Sequence, residues 1–138
     1  ARAAAQNIVP TTTGSAIATT RVVPSLKGKF DGMAIRIPTI TVSLTDFTFV
    51  VKKDVTKEEL NDVFLDAVKQ KRWQGILDVT TEELVSSDFV GNPHSSIVDL
   101  NLTNVVGGNL VKVIAWYDNE WGYSSRVRDL ALFIADKF

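Results

Sequence analysis

A dense group of aromatic and amide side chains follows an apolar segment near the C-terminal end of this chain. Residues 116–123 read Trp-Tyr-Asp-Asn-Glu-Trp-Gly-Tyr, and they follow residues 110–115, an apolar run typical of a buried strand. Because Asn119 carries donors and an acceptor on one planar group, it can hydrogen-bond a planar ligand if the turn holds it firmly. The alternative is a capped turn with Trp116 and Trp121 in the core, and spacing alone leaves both open.

A second group of residues has the chemistry of an anion site. Arg36 lies in an otherwise apolar segment, residues 33–37, and a buried arginine needs an anionic partner. Its planar guanidinium suits two oxygens of one phosphate, although a salt bridge to Asp or Glu would also satisfy it. Thr13 and Gly14 begin a predicted helix, where free N–H groups bind anions and glycine allows a ligand close to the backbone. Plain N-capping is the structural alternative.

Residue types that carry covalent and metal chemistry are scarce. The chain has no Cys, which excludes a disulfide scaffold and a cysteine-based zinc site, and we expect no metal centre. Its one histidine, His94, lies in a turn signal between two strand-like segments, so we expect a loop residue. No Gly-x-Gly-x-x-Gly motif occurs, so the chain carries no dinucleotide-binding fingerprint of its own.

The composition predicts one folded domain, or most of one. The chain has 138 residues, of which 45% are hydrophobic and 22% charged, enough to build a core. A formal net charge of −1 would not attract nucleic acid or an anionic membrane. No apolar run approaches the ~20 residues that span a bilayer, and no secretory signal is evident. We expect a cytoplasmic protein, and an opening Ala suits a piece of a longer chain.

Three predicted helices must help to position these groups. The first is capped by Thr12 or Thr13 and ends near Val23, where Pro24 stops it. The second opens on a capping box at Thr56 and reaches about residue 71, and the third spans about 119–138. In the first helix Ala16, Ile17 and Val23 are expected to face inward. The second helix has an apolar stripe, and the third has apolar residues spaced as one face; these are Leu60, Phe64, Ala67 and Val68 in the second and Val127, Leu130, Ala131, Ile134 and Phe138 in the third.

Strand-like segments come in blocks and do not alternate strictly with helices. They are residues 33–37, 42–51, 75–79, 85–89, 96–99, 102–106 and 110–115. This order predicts an α+β fold in which helices cover one face of a sheet. Phe47 and Phe49 alternate against Val50, so both faces of that strand carry apolar groups, and such a strand is usually covered on both faces.

Four segments resemble, in the same order, the phosphorylating glyceraldehyde-3-phosphate dehydrogenase family. Residues 116–123 are similar to the segment before its last helix. Residues 7–14, Asn-Ile-Val-Pro-Thr-Thr-Thr-Gly, resemble its phosphate loop, and residues 32–39, Gly-Met-Ala-Ile-Arg-Ile-Pro-Thr, resemble its arginine strand. Residues 84–89, Leu-Val-Ser-Ser-Asp-Phe, resemble a later strand. The resemblance covers the whole chain and implies the C-terminal catalytic domain, a largely antiparallel mixed sheet with helices on one face and a long C-terminal helix.

The resemblance also implies roles for the candidate residues. Thr13, Gly14 and Arg36 match positions that hold the phosphate of the substrate or inorganic phosphate. Asn119 matches the residue that hydrogen-bonds the nicotinamide carboxamide, and Tyr123 matches one that packs near the same ring.

Three charged residues near the last helix have simpler explanations. Glu120 is expected to cap that helix, because an acid in the first turn complements the helix dipole. Arg126 and Arg128 fall on its exposed side, where we expect solvated charges.

The activity implied by the resemblance needs groups that this chain lacks. The complete enzyme would oxidise an aldehyde through a thiohemiacetal, pass hydride to NAD or NADP, and release the acyl group to inorganic phosphate. The family's nucleophilic Cys and general-base His would lie upstream, so we expect no catalytic residue, tightly bound cofactor or activity in this chain alone. The other sheet face would pack on a sister subunit. Alternatives are an erythrose-4-phosphate dehydrogenase or a non-catalytic module for oligomerisation or phosphate binding.

Overall fold

The computed structural model describes residues 2–138 as two compact units. The first unit ends at Ile40, and the second is Thr41–Phe138. No helix within residues 2–138 is long and apolar enough to cross a membrane.

The first unit contains a pair of short antiparallel strands and one helix. Strand β1, Val9–Thr11, pairs with strand β2, Ala34–Arg36, and helix α1 is Ser15–Val22. A 3₁₀ turn at Pro24–Leu26 follows α1, as the predicted proline stop requires. Of the three residues expected to face inward, Ala16 is buried, but Ile17 and Val23 are exposed, so that prediction was wrong for both. A helix of eight residues with one buried side chain makes few apolar contacts of its own.

The second unit is built on a five-stranded mixed sheet. Its central strand is β7, because β3 pairs along one edge and β5 and β6 share the other, all antiparallel. Strand β4 extends the sheet beyond β5 as the parallel pair. The strands of this sheet are β3 Ser43–Val50, β4 Leu77–Thr80, β5 Ser96–Asp99, β6 Asn104–Val106 and β7 Leu110–Tyr117. The predicted α+β class with a largely antiparallel mixed sheet is confirmed.

Helix α2, Lys57–Val68, packs on this sheet and closes the main core. The capping box that the sequence predicts is formed, since Thr56 Oγ1 accepts the N–H of Glu59 at 3.1 Å and Glu59 Oε2 accepts the N–H of Thr56 at 2.8 Å. From this start, Leu60 and Phe64 reach the core around Val111, which is fully buried in β7. The apolar stripe of α2 therefore faces the sheet as its 3.6-residue period predicts.

Residues 85–89 form no strand, which corrects the sequence prediction. They contain a 3₁₀ helix at Ser86–Phe89, because Asp88 Oδ2 accepts the N–H of Val85 at 2.8 Å and the N–H of Asp88 returns to the carbonyl of Val85 at 3.0 Å. A short carboxylate that bonds the nearby backbone favours such turns over a strand.

Strand β3 forms an edge of the sheet and carries exposed apolar side chains. Within residues 41–138 it pairs only with β7, and Leu44, Phe47, Phe49 and Val50 are all exposed. The expectation that both faces are covered is therefore not met by this chain itself.

The last helix, α3, spans Trp121–Ala135, which is shorter at both ends than predicted. Its start is well held, since Gly122 is buried, but its second half is exposed on all sides. All five residues of the predicted apolar stripe are exposed, namely Val127, Leu130, Ala131, Ile134 and Phe138.

Candidate functional site

The junction between β7 and α3 forms a small cavity in the second unit. The cavity has a volume of about 260 Å³ and is lined by Ser95, Tyr117, Asp118, Asn119, Gly122 and Tyr123. Strand β7 delivers its end from the core, and the turn at residues 118–120 redirects the chain into α3. Asn119 and Tyr123, the two candidate cofactor residues, therefore lie together at one cavity.

Asp118 holds this turn together and was not singled out from the sequence. Its Oδ1 accepts the N–H groups of Glu120 and Trp121 at 3.0 and 2.9 Å, and its Oδ2 accepts the N–H of Gly91 at 2.8 Å. The hydroxyl of Thr41 also donates to Oδ1, at 3.4 Å. The sequence offers a signal, because the side chain of an Asp just before a predicted helix commonly accepts backbone N–H groups at the start of that helix.

The environment of Asp118 favours its charged form. Burial of the carboxylate acts to raise its pKa, but the N–H groups of Trp121, Gly91 and Glu120 and the hydroxyl of Thr41 outweigh that effect. The pKa of Asp118 is lowered from its ordinary value of 3.8. A carboxylate that accepts several N–H groups is stabilised as an anion, which explains the direction.

Asn119 is exposed at the mouth of this turn. The hydroxyl of Ser43, at the start of β3, donates to Asn119 Oδ1 at 3.3 Å. Among residues 2–138 the amide nitrogen Nδ2 has no protein partner, so it is available to a ligand acceptor. Tyr123, one turn into α3, is 71% exposed, and its ring forms an open wall of the cavity.

The segment 41–43 reaches this junction with unusual backbone geometry. Val42 has a φ of +73°, a left-handed conformation that is rare for a β-branched residue, and its side chain is buried with Phe89 and Ile97. Its neighbours Thr41 and Ser43 donate to Asp118 and Asn119, respectively. Core packing therefore holds a strained residue between the two hydroxyls that contact the turn.

One expectation about this junction was wrong, and one alternative is realised only in part. Glu120 occupies the N-cap position of α3 but makes no side-chain cap hydrogen bond, because Asp118 already accepts the N–H groups there. Trp121 is mostly exposed instead of lying in the core, whereas Trp116 is half-buried against Phe89.

Arg126 is also placed differently from the prediction. Its Nη1 donates to the carbonyl of Gly75 at 2.7 Å, and its Nη2 lies 2.7 Å from Asp129 Oδ2. Its Nε is buried and has no hydrogen-bond partner among residues 2–138. Arg126 therefore joins α3 to the turn before β4, while Arg128 is largely exposed, as expected.

His94 lies in a loop, as predicted, and contributes its backbone to the junction. Its Nδ1 is 2.9 Å from Asn92 Oδ1, which keeps the ring within its own turn. A Cβ atom placed on Gly122 would lie 3.0 Å from the carbonyl oxygen of His94, so only glycine fits there without a shift. Within residues 2–138 no group of three or more His, Cys, Asp or Glu side chains could hold a metal ion.

Thr13 and Gly14 form the start of α1 in the first unit. Thr13 Oγ1 accepts the N–H of Ser15 at 3.2 Å and lies 2.9 Å from Ser15 Oγ. Gly14 is the N-cap residue, has no side chain, and a Cβ placed there would meet no atom within 4 Å. The helix start is therefore open at Gly14, with the Thr13 hydroxyl beside it.

Arg36 is exposed, which corrects the expectation of a buried guanidinium. Arg36 of strand β2 pairs with Val9 of strand β1, while Ala34 pairs with Thr11. Arg36 therefore lies at the end of this strand pair that is away from Thr13. Within residues 2–138 no carboxylate forms an ion pair with Arg36. The alternative of an internal salt bridge is therefore not realised in the described chain.

The fold agrees with the comparisons to known proteins. Residues 1–119 match the family model of the glyceraldehyde 3-phosphate dehydrogenase C-terminal domain, and the α+β sheet with a C-terminal helix is consistent with that domain. The chain belongs to that family. This confirms the resemblance that the four sequence segments indicated.

Individual relatives that align with nearly all of this chain are glyceraldehyde-3-phosphate dehydrogenases. Glyceraldehyde-3-phosphate dehydrogenase 2 of Nostoc sp. is 56% identical over 138 residues, which are 100% of this chain and 41% of that protein. The glyceraldehyde-3-phosphate dehydrogenase of Zymomonas mobilis is 51% identical over 98% of this chain and 40% of its own length. That of Streptomyces coelicolor is 50% identical over 99% and 41%. The chain thus spans about two fifths of these relatives.

Proposed function

We propose that this chain is the catalytic, substrate-binding domain of a phosphorylating glyceraldehyde-3-phosphate dehydrogenase that uses NAD or NADP. The observation that most supports this proposal is the cavity at the β7–α3 junction, where Asn119 and Tyr123 lie together. The names of the relatives support the same activity. The substrates would be a phosphorylated aldehyde and inorganic phosphate.

The cavity suits one end of a dinucleotide. Its volume of about 260 Å³ is below the ~300–1,000 Å³ usual for complete ligand pockets. It offers an amide with a free donor at Asn119 and an exposed aromatic ring at Tyr123, which match a planar ring that carries a carboxamide. When bound, the nicotinamide ring would supply the hydride acceptor. The role of this chain would be to orient that ring through Asn119 and to shield one side of it with Tyr123.

The first unit would bind phosphate. Arg36 is exposed and free of internal carboxylates, and the N-terminus of α1 presents its backbone N–H groups beside Gly14. Arg36 lies at the end of the β1–β2 strand pair away from Thr13, so these groups are unsuited to one small anion. We therefore assign Arg36 to one phosphate group and the pair Thr13 and Gly14 to another. The reactive thiolate and general base would come from polypeptide outside these residues.

A homo-oligomer is the expected assembly. Exposed apolar side chains lie along the edge strand β3, with Leu44 and Val50 on one face of the sheet and Phe47 and Phe49 on the other. We assign the sheet face that carries Leu44 and Val50 to contact with a second copy. Light scattering that finds only monomers of the complete enzyme at high concentration would contradict this assignment.

The activity is tested on the complete enzyme by following NADH formation from glyceraldehyde 3-phosphate with and without inorganic phosphate. We expect turnover that depends on phosphate, and turnover without phosphate would favour the sibling that uses water. Asn119→Ala should weaken the binding of NAD, whereas Asn104→Ala, an exposed amide outside the cavity, should not. No aldehyde oxidation by the complete enzyme would reject the proposal.

The phosphate assignment is tested with a pair of arginine variants. Arg36→Ala should raise the KM for phosphate or for the aldehyde ~10- to 100-fold, because a hydrogen bond to a charged group contributes ~1.5–3 kcal/mol. Arg21→Ala is the matched control, since Arg21 is an exposed arginine in the last turn of α1. Equal effects of the two substitutions would show that general charge, not a site at Arg36, attracts the anion.

A further inference from the structure

We infer that Asp118 is a positioning residue for the cofactor amide, because it fixes the turn from which Asn119 reaches the ligand. This inference rests on the proposed function of the cavity at the β7–α3 junction. It concerns a residue that would act through its neighbour and not by touching the cofactor's reacting atoms.

The hydrogen bonds of Asp118 surround Asn119 on the chain. Asp118 lies immediately before Asn119, and its Oδ1 accepts the N–H groups of the next two residues, Glu120 and Trp121, at 3.0 and 2.9 Å. The backbone that follows Asn119 is therefore tied to the carboxylate of the residue that precedes it. The direction in which the Asn119 side chain leaves the backbone follows from that closed turn.

The second oxygen of Asp118 anchors the turn to the rest of the unit. Oδ2 accepts the N–H of Gly91 at 2.8 Å across 27 residues of sequence, and Thr41 donates to Oδ1 from the segment before β3. Asp118 is only 3% exposed, so water cannot replace these partners easily. One carboxylate thus connects the turn, the loop at Gly91 and the start of β3.

Asn119 depends on this support because its own contacts are few. It is exposed, and its side chain is held by the single hydroxyl of Ser43 at 3.3 Å. An exposed amide on a mobile turn would lose conformational freedom whenever a ligand bound, and affinity would fall accordingly. An amide on a fixed turn avoids most of that loss, which is the advantage of preorganisation.

Replacement of Asp118 by Asn separates this role from simple filling of space. The variant keeps the size and one carbonyl oxygen, so it can still accept N–H groups within the turn. Its amino group would face the N–H of Gly91, which places two donors together at a buried position. The turn would therefore lose its anchor while the fold retains its core.

Asp99 offers a matched control. It is equally buried at 3% exposure, and its Oδ1 accepts the N–H groups of Asn101 and Leu102 at 3.1 and 3.3 Å. Its Oδ2 accepts the indole N–H of Trp116 at 3.1 Å. Asp99→Asn therefore removes a comparable hydrogen-bonded carboxylate outside the turn that carries Asn119.

The experiment measures NAD binding to the complete enzyme by calorimetry, for the wild type and for Asp118→Asn, Asp99→Asn and Asn119→Ala. We expect Asp118→Asn to weaken NAD binding ~10- to 100-fold, as small displacements of positioned groups do, and to leave the KM for phosphate unchanged. The Asp118→Asn variant should also transfer a deuterium label from the aldehyde to both faces of the nicotinamide ring. Hydrogen exchange without cofactor should show faster exchange at the N–H group of Gly91, which loses its acceptor.

Each outcome has a distinct meaning. If Asn119→Ala weakens NAD binding but Asp118→Asn does not, the positioning role is rejected while the proposed function stands. If Asp99→Asn weakens NAD binding as much as Asp118→Asn, the effect is general destabilisation and the inference also fails. If neither Asn119→Ala nor Asp118→Asn changes NAD binding, the cavity is not the cofactor site, and both the cofactor role proposed for it and this inference fail.

Discussion

The indole ring of Trp116 stacks on the phenyl ring of Phe89, with ring centroids 5.2 Å apart and ring planes inclined by 14°. Trp116 lies near the end of β7, and Phe89 ends the 3₁₀ helix at Ser86–Phe89. The stacked pair thus ties the end of the central strand to the segment that leads to Gly91. Since Gly91 donates to Asp118, aromatic packing and the hydrogen-bonded turn support each other.

Removal of the Phe89 ring should be costly to stability. Phe89 is 3% exposed and packs with Val42 and Ile97, so Phe89→Ala leaves a cavity and should lower the free energy of unfolding by ~3–5 kcal/mol. Urea unfolding of the chain, followed by tryptophan fluorescence, measures this change. Phe138→Ala is the control, because Phe138 is fully exposed, and it should stay within ~0.5 kcal/mol. Equal losses would mean that Phe89 is not in a packed core.

A methyl group at Gly122 should strain the start of α3. Its Cβ would lie 3.0 Å from the carbonyl oxygen of His94, and the cost of overpacking should exceed the ~1 kcal/mol that alanine contributes in a helix. We expect Gly122→Ala to lower the free energy of unfolding by ~1 kcal/mol, as thermal denaturation would show. Gly32→Ala meets no atom within 4 Å and should be neutral. A stabilised Gly122→Ala variant would show that the two backbones separate freely.

Two arginines on the same helix should differ in their contribution to stability. Arg126 donates to the carbonyl of Gly75 and contacts Asp129, so Arg126→Ala should cost ~1–3 kcal/mol. Arg128 contacts the same Asp129 from a largely exposed position, so Arg128→Ala should cost less than ~1 kcal/mol. Chemical denaturation of both variants compares them directly. If the two losses are equal, the contact between Arg126 and Gly75 does not help to hold α3.

The Asp118 carboxylate should make stability depend on pH in the acid range. Its pKa is lowered in the folded chain, so its contribution is complete well above the ordinary value of 3.8 and is lost as pH falls through the lower folded pKa. The difference in unfolding free energy between wild type and Asp118→Asn should therefore be largest near neutral pH and shrink below about pH 4. Urea midpoints at several pH values test this. A difference that grows on acidification would reverse the assigned direction.

Local chemistry made several features predictable from sequence. The capping box at Thr56 and the apolar stripe of α2 depend on residues within a few positions of one another, and both are formed. The buried strand β7 was evident from its continuous β-branched run, because a strand covered on both faces needs no polar alternation. The likeness to the dehydrogenase family rested on whole segments, and the family comparison confirms it.

The prediction for residues 85–89 failed for a local reason. They were predicted as a strand because Val85 and Phe89 suit one, but the nearby carboxylate of Asp88 closes a turn there instead.

Features that depend on distant partners could not be predicted from sequence. Arg126 was assigned to solvent from its helical position, since the carbonyl of Gly75 that it binds lies 51 residues away in sequence. The exposure of Arg36 likewise depends on what packs against the β1–β2 strand pair, and an apolar sequence segment does not predict that.

By itself, the sequence determined the class of fold, the family and the identity of the candidate amide Asn119, because those follow from periodicity and from contiguous segments. Only the tertiary structure revealed that Asp118 holds the turn that carries Asn119. Its partners Thr41 and Gly91 are 77 and 27 residues away; Thr41 donates its side-chain hydroxyl and Gly91 its backbone N–H, and no spacing in the sequence signals either contact. Hydrogen bonds to the backbone use groups that every residue except proline shares, so sequence cannot distinguish the N–H group that will be bound from the others.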